Sequence, residues 1–292
     1  MRQSLAIILC AILSISLTGC KTSYSTYEGP TYIIFSEQEY TLGVVDENEW
    51  FEIPISATTI ADYDRNVGVE VVESATSAIE GHHFNIESYT VTIPAGALTA
   101  PLRIKGMPSN IELNENLDIK LRLVINEELV WESYGIETTL HLVKCCPMDI
   151  NAFTGYCVLT STWVMDYMGA EARLVHTHRD EHNANRIIVT DMFYEGYDVA
   201  IDFDTEDRLN PTLTTEGGMI GTTGEAFGTI YGNGELMMEH PMGYTSYYSP
   251  CEKFAVLYTT MYVENVGTVG TFINVLEWIS DDEAERIMRE GF

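Results

Sequence analysis

Apolar residues in this chain recur at every second position far more often than at a helical spacing. "WFEIPIS" sets Phe51, Ile53 and Ile55 on one face, "VGVEVV" sets Val67, Val69 and Val71, and "YTVTIPAG" sets Tyr89, Val91 and Ile93. "LDIKLRLV" is the clearest case, with Leu117, Ile119, Leu121 and Leu123 inward and Asp118, Lys120 and Arg122 outward. Such alternation predicts half-buried antiparallel strands. With "TYIIF" before and "ETTLHLV" after, about seven short strands fit residues 31–144, the number a β-sandwich needs.

A composition break at "VKCCPMDINAFTGYC" opens a second unit, residues 145–292. Period two continues there: "DVAIDFD" turns Val199, Ile201 and Phe203 inward, while "KFAVLYTTMYV" and "TFINVLEWI" are long strands apolar or aromatic on both faces. Asn233-Gly234 suits a tight hairpin turn. Eight or nine such strands close as a meander barrel or fold over as a sandwich. Ser280 and Glu283 form a capping-box pair, Asp281 and Asp282 complement the helix dipole, and Gly291 is a stop, so a helix is expected over 280–290, plugging or flanking the barrel. The fold class is all-β, with the helix as a terminal appendage.

The start of the chain departs from this pattern. Arg2 precedes an apolar run from Leu5 to Leu17, too short to span a bilayer and the length of a signal-peptide core. Leu17-Thr18-Gly19-Cys20 fits a lipobox, in which two small residues precede a cysteine that takes lipid. Residues 1–19 are therefore expected to be a lipoprotein signal peptide, Cys20 a lipidated (palmitate-bearing) first residue, and residues 20–30 a polar tether. Two or more acyl chains, at about 0.8 kcal/mol per buried methylene, make such an anchor stable. The setting is the cell envelope, with the membrane as a partner through the lipid.

Charge narrows the partners further. With 44 acidic and 15 basic residues the formal charge is -29, and losing Arg2 with the leader makes it one unit more negative. That field repels phosphate backbones, so nucleic acid is excluded as a partner. Of six cysteines, Cys145, Cys146, Cys157 and Cys251 lie beyond the leader and the lipid site. An oxidising envelope favours one disulfide. Neighbours Cys145 and Cys146 would make a strained bridge, which leaves Cys251 to pair with Cys157 or Cys146; Cys157–Cys251 is the pairing carried forward. Cysteine pairs at both ends of a motif, as a four-thiolate zinc site requires, are missing.

"AIEGHHFNIESYTVTIPAGALTAPLRIKGMPSNIELNENLDIKLRLV" resembles the second half of a Calx-beta domain. The features that carry the likeness are Gly81-His82-His83-Phe84, Ile93-Pro94-Ala95-Gly96 and the acidic turn Glu112 to Glu115. The resemblance implies an immunoglobulin-like sandwich. Calcium-binding relatives carry an aspartate before the aromatic and paired aspartates after the middle strand; here stand His82-His83 and Gly106-Met107-Pro108. A hard cation wants six to eight oxygen ligands, so no cofactor is expected and calcium stays an alternative only. Beyond residue 145, "CPMDINAFTGYC", "GTTGEAFGTIYGNGEL" and "VGTVGTFINVLEWISDDEAE" resemble Bacteroidetes envelope lipoproteins that pair a Calx-beta-like domain with a C-terminal domain of unknown function. This likeness implies an outer-membrane setting and supplies no catalytic residues.

Three groups of residues could carry chemistry. His176 and His178 stand two apart on one strand face with His182 beyond a turn, and with Asp180 or Glu181 they could hold zinc; a solvated hairpin explains them better. Tyr244, Tyr247 and Tyr248, in what reads as a long loop tied by Cys251, could stack on sugar faces together with Trp163, Tyr194 and Tyr197. Carboxylate pairs could serve a glycosidase, but any acidic β protein supplies them, and no nucleophile elbow, Walker loop or His-Glu-x-x-His motif is present. The expectation is a non-enzymatic, lipid-anchored envelope binding protein, for surface adhesion or glycan capture by an uptake complex, with a glycan or envelope protein as partner. A structural or pilus-like assembly component is the alternative, and a secreted glycoside hydrolase the outlying one.

Overall fold

The computed structural model describes residue 27 and residues 29–292. The leader, the lipobox with Cys20 and most of the tether lie outside the described residues.

The first unit contains β1 (Ile33–Phe35), β2 (Glu39–Val44), β3 (Phe51–Ala57), β4 (Arg65–Val71), β5 (Phe84–Ile86), β6 (Thr90–Ile93), β7 (Thr99–Gly106), β8 (Leu117–Val124) and β9 (Glu137–Lys144). Nine strands stand where about seven were expected. β1 falls on the expected "TYIIF"; the strands not singled out by alternation are β2, β5 and β7, of which β5 has only three residues, too few for a period to register. The nine form two sheets, in the orders β1-β3-β7-β5 and β2-β9-β8-β4-β6. All pairings are antiparallel except β2 with β9. The inward rows meet as expected: Ile53, Ile55, Val67, Val69, Val91, Ile93, Leu117, Ile119, Leu121 and Leu123 are buried in one core. Tyr89 departs from its row. It is exposed, and its hydroxyl donates to Glu80 Oε2 at 2.5 Å. On the outer face of β8, Arg122 reaches Glu70 at 3.1 Å and Glu137 at 2.7 Å, and His141 Nδ1 lies 2.7 Å from Asp118.

The second unit is a barrel. Its strands are β10 (Gly155–Ser161), β11 (Arg173–Arg179), β12 (Arg186–Thr190), β13 (Val199–Asp204), β14 (Thr212–Thr214), β15 (Gly218–Thr222), β16 (Glu235–Glu239), β17 (Ser246–Ser249), β18 (Phe254–Val263) and β19 (Gly267–Trp278). Eight of them, in the order β10-β11-β12-β13-β14-β17-β18-β19, form a ring that closes where Cys157 pairs with Trp278 and Ser161 with Asn274. Closure removes the sheet edges. The β15–β16 hairpin stands beside the ring and pairs with the far half of β18.

Side chains fill the interior. Phe153 stoppers one end, 4.9 Å from both Phe203 and Trp278 and 5.6 Å from Tyr248. Trp163 stoppers the other, stacked 4.2 Å from Tyr167 and edge-on to Phe272 at 5.0 Å, where the chain makes a π-helical turn, Val164–Met168. The Asn233-Gly234 expectation fails: a twelve-residue connection containing α1 (Thr223–Phe227) joins β15 to β16. Thr222 and Glu225 form a full capping box that starts this helix at once, and Gly228, at φ 72°, ends it. At α2 (Asp281–Glu290) the box is half made. Ser280 accepts from the Glu283 N–H, but the Glu283 carboxylate turns to Arg286 instead. α2 flanks the barrel, burying Ala284 and Ile287 beside β10.

The expected Cys157–Cys251 bridge is corrected. Cys251 is bonded to Cys146, with Cα atoms 5.2 Å apart. Cys157 is a free, fully buried thiol inside the barrel, its pKa pushed up by desolvation. Alternation explains the outcome: Cys157 sits on the inward row of β10 with Leu159, out of reach of the β17–β18 turn. The Cys146–Cys251 bridge ties the segment leaving the sandwich to that turn. Nearby, Arg208 reaches Glu49 of the first unit at 2.6 Å.

Candidate functional site

The six aromatic residues singled out in the sequence divide into buried and exposed sets. Trp163 is fully buried at the barrel end. Tyr194 is half-buried against the same core, and a Cβ at Gly221 would come within 2.5 Å of its ring. The Tyr194 hydroxyl and Trp163 Nε1 are both buried and face each other without a well-formed hydrogen bond, and burial raises the Tyr194 pKa. Tyr197 lies in a turn, its N–H donating to Tyr194 O. Tyr248 points inward; its hydroxyl donates to Asp204 O at 3.1 Å. Burial, with a smaller contribution from the Asp204 charge, pushes its pKa up to about 12. These four are part of the core and its margins.

Tyr244 and Tyr247 remain on the surface, and the fold adds partners that sequence reasoning missed. Part of the expected loop is strand, with Tyr244 left in the connection 240–245: Ser246 and Tyr248 of β17 face the barrel interior, so Tyr247 between them faces out. In β18 the residues Ala255, Leu257, Thr259 and Met261 are buried inward, leaving Phe254, Val256 and Tyr258 on the outer wall. Tyr247 pairs with Val256, Val256 with Val275, and Tyr258 with Ile273. Tyr244 lies on Tyr258, ring centroids 5.2 Å apart at 38°, and Tyr247 meets Phe254 edge-on at 6.3 Å. Tyr244 and Tyr247 are each about half exposed, as is Ile273. The result is a shallow outer-wall patch with three phenol hydroxyls, bordered by exposed Glu239 of β16 and by exposed Thr271 and Glu277 of β19, with Thr260 buried against Thr271. The signal for Tyr258 and Ile273 was the two-faced apolar pattern of their strands.

Such a wall can do one thing well. Rigid rings offer apolar area with a polar tip and little entropy to lose, the requirement for stacking a flat, hydroxylated ligand.

The histidine group does not converge. His176 packs edge-on against Tyr156 at 5.1 Å, and His182 points into solvent. Asp180 accepts the His182 N–H at 2.7 Å, which lowers its pKa, and it lies 3.9 Å from Arg186. Arg186 in turn holds Asp202 at 2.8 Å and Glu216. Among the described residues, no group of three or more His, Cys, Asp or Glu side chains is placed to hold a metal ion. Within the Calx-beta-like segment, His83 is buried, and its Nδ1 accepts the Ile79 N–H at 3.0 Å. Among the described residues no helix is long and apolar enough to cross a membrane.

Fold and surface together define an all-β protein in which a two-sheet sandwich is joined to a closed eight-stranded barrel with a partly exposed aromatic wall. The chain belongs to the family described as domain of unknown function DUF4984, whose model matches residues 133–290. A second model, domain of unknown function DUF4843, matches residues 34–141. Among solved structures, the chain is similar to the apo form of the Calx CBD1 domain, at 18% identity and TM-score 0.33, covering 40% of this chain and 98% of that one. It is also similar to a protein of unknown function from Bacteroides ovatus, at 11% identity and TM-score 0.35, covering 84% and 90%. A third likeness is to an auxiliary nutrient binding protein from Bacteroides thetaiotaomicron, at 14% identity and TM-score 0.31, covering 83% and 91%. No curated protein matches the chain.

Proposed function

We propose that this is a lipid-anchored binding protein of the cell envelope, held in the outer membrane through Cys20, that captures glycans on its outer barrel wall without catalysing their breakdown. The observation that carries the reading is the half-exposed Tyr244 ring lying on half-buried Tyr258 beside half-exposed Tyr247, with Tyr247 and Tyr258 fixed on paired strands of a closed barrel. Three rings on a rigid wall lose little freedom when a sugar lies on them, and the neighbouring carboxylates Glu239 and Glu277 accept its hydroxyls. The carboxylates with depressed pKa values serve the fold: Asp180 and Asp207 accept turn N–H groups, and Glu283 pairs with Arg286.

The test is a glycan array with the purified protein. Binding to at least one oligosaccharide, weakened roughly tenfold (about 1.4 kcal/mol) by Tyr247→Ala or Tyr244→Ala, supports the reading. No sugar bound, or alanine variants that bind as well as wild type, removes it. Anchoring is checked separately, by mass spectrometry of the N-terminus and membrane release of Cys20→Ser.

A further inference from the structure

Arg65 opens β4 on the same inward row as Val67 and Val69, where the alternation calls for an apolar residue. It is only 8% exposed. Nη1 donates to Thr59 O at 2.8 Å and Nη2 to Ala97 O at 2.7 Å, so the fork ties two loops together, while Nε is buried and unpartnered. Every partner is neutral. By contrast Arg103, Arg122, Arg186, Arg208 and Arg286 each meet a carboxylate within 4.0 Å. Burying a cation without a counter-charge is costly, and a neutral amide could bridge two carbonyls without that cost. A charge retained under those conditions, in a chain of net charge -29, points to an anion that comes and goes.

A second observation falls on the same spot. Two hollows, of about 610 Å³ and 360 Å³, share a wall made of Thr31, Tyr63 and Arg65. Ile60 and Tyr63, among the most exposed large apolar side chains here at 65% and 64%, line the first, and exposed Val124 lines the second. Asp62 lines the first and Asp64 the second, neither within 4.0 Å of the guanidinium, and Asp64 accepts the Ala95 N–H at 2.8 Å. These carboxylates repel a polyanion such as a phosphate ester but accept hydroxyl donors. Guanidinium, ring and hydroxyl acceptors together fit a single carboxylate on a hydroxylated ring.

We propose that this end of the sandwich binds a carboxylated sugar, its carboxylate on Arg65 and its ring on Tyr63. The site is separate from the barrel wall, and its test separates the two.

The purified protein is titrated with D-glucuronate, D-glucose and acetate by calorimetry, with amide shift mapping. Glucuronate is expected to bind in preference to both others, more weakly as salt rises, with shifts at residues 31, 63 and 65. Tyr63→Ala removes an exposed ring and leaves the fold intact; it should weaken binding about tenfold. Arg65→Gln should abolish binding, and Arg65→Lys, which keeps the charge without the fork, should recover little. Tyr247→Ala should change nothing here. The proposal is overturned by no glucuronate binding, by glucose or acetate binding equally well, by shifts confined to the barrel, or by Tyr63→Ala binding like wild type.

Discussion

The Ser161 hydroxyl donates to the side-chain oxygen of Asn274 at 2.7 Å inside the barrel, across the strand pair that closes it. The Asn274 amide donates in turn to Leu257 O and Thr259 Oγ1, both at 2.9 Å, and Ser161 Oγ accepts the Trp163 N–H at 3.1 Å. Ser161, Thr259 and Asn274 are buried, so each bond lost leaves a polar atom without water. Asn274→Ala is expected to destabilise the protein by about 3 kcal/mol and Ser161→Ala by about 1–2 kcal/mol, read by urea unfolding. Equal, small effects would mean that water enters the barrel.

Gly106 ends β7 against the facing sheet, where an added Cβ would lie 2.4 Å and 2.6 Å from the two Val44 methyls. Both relax only by moving a sheet. Gly106→Ala should therefore cost about 1–3 kcal/mol. Val44→Ala on the same background should recover a good part of that loss, a coupling of about 1 kcal/mol or more in the double-mutant cycle. Purely additive losses would show that the cost lies in the backbone rather than in the contact.

The Cys146–Cys251 bridge closes a separation of 105 residues. Cys146→Ala/Cys251→Ala should lower stability by about 2–4 kcal/mol. In the native protein the buried Cys157 thiol, its pKa raised by desolvation, should resist iodoacetamide until the barrel unfolds. A non-reducing peptide map that links Cys157 to Cys251 would contradict the arrangement.

Much of the architecture was readable because alternation reports a strand's buried side directly; the inward rows of β8 and β13 came out residue for residue, and that of β4 did so at Val67 and Val69, with Val71 only half-buried. Three-residue strands such as β5 and β14 hold too few positions to show a period, and in β2 and β7 glycine, alanine and polar residues break up the apolar pattern, so the count fell short. α1 was missed although its capping box is written in "TTGEAF". For the candidate site the limit was different. Ser246-Tyr247-Tyr248-Ser249 demands that one tyrosine face in and the other out, but which one depends on the register with β18, a long-range fact. Tyr258 and Ile273 lie fifteen residues apart in sequence and become cross-strand neighbours only through that pairing. Disulfide choice is of the same kind, since Cys146 and Cys157 both lie far from Cys251 in sequence, nothing local favours either, and only the barrel turns one away.

Tyr248 offers a test of the inward register through pH. Burial holds its phenol protonated and pushes its pKa up to about 12 in the fold, against about 10 for an ordinary tyrosine. Raised in the folded state, this group contributes stability that is fully present below pH 10. That contribution is lost as pH climbs from about 10 to about 12, because the unfolded chain gives up the proton first. Tyr89, pushed up to about 12 by partial desolvation and its bond to Glu80, adds little to the same window, because its exposed phenol is screened by solvent. The thermal midpoint should therefore fall across pH 10–12. Tyr248→Phe, which keeps the ring against Phe153 and Phe203 and removes the titrating group, should be less steep there while losing about 1 kcal/mol at neutral pH with the bond to Asp204 O. A variant as pH-sensitive as wild type would place Tyr248 outside the barrel and Tyr247 within it, and would move the exposed aromatic wall to the other face of β17.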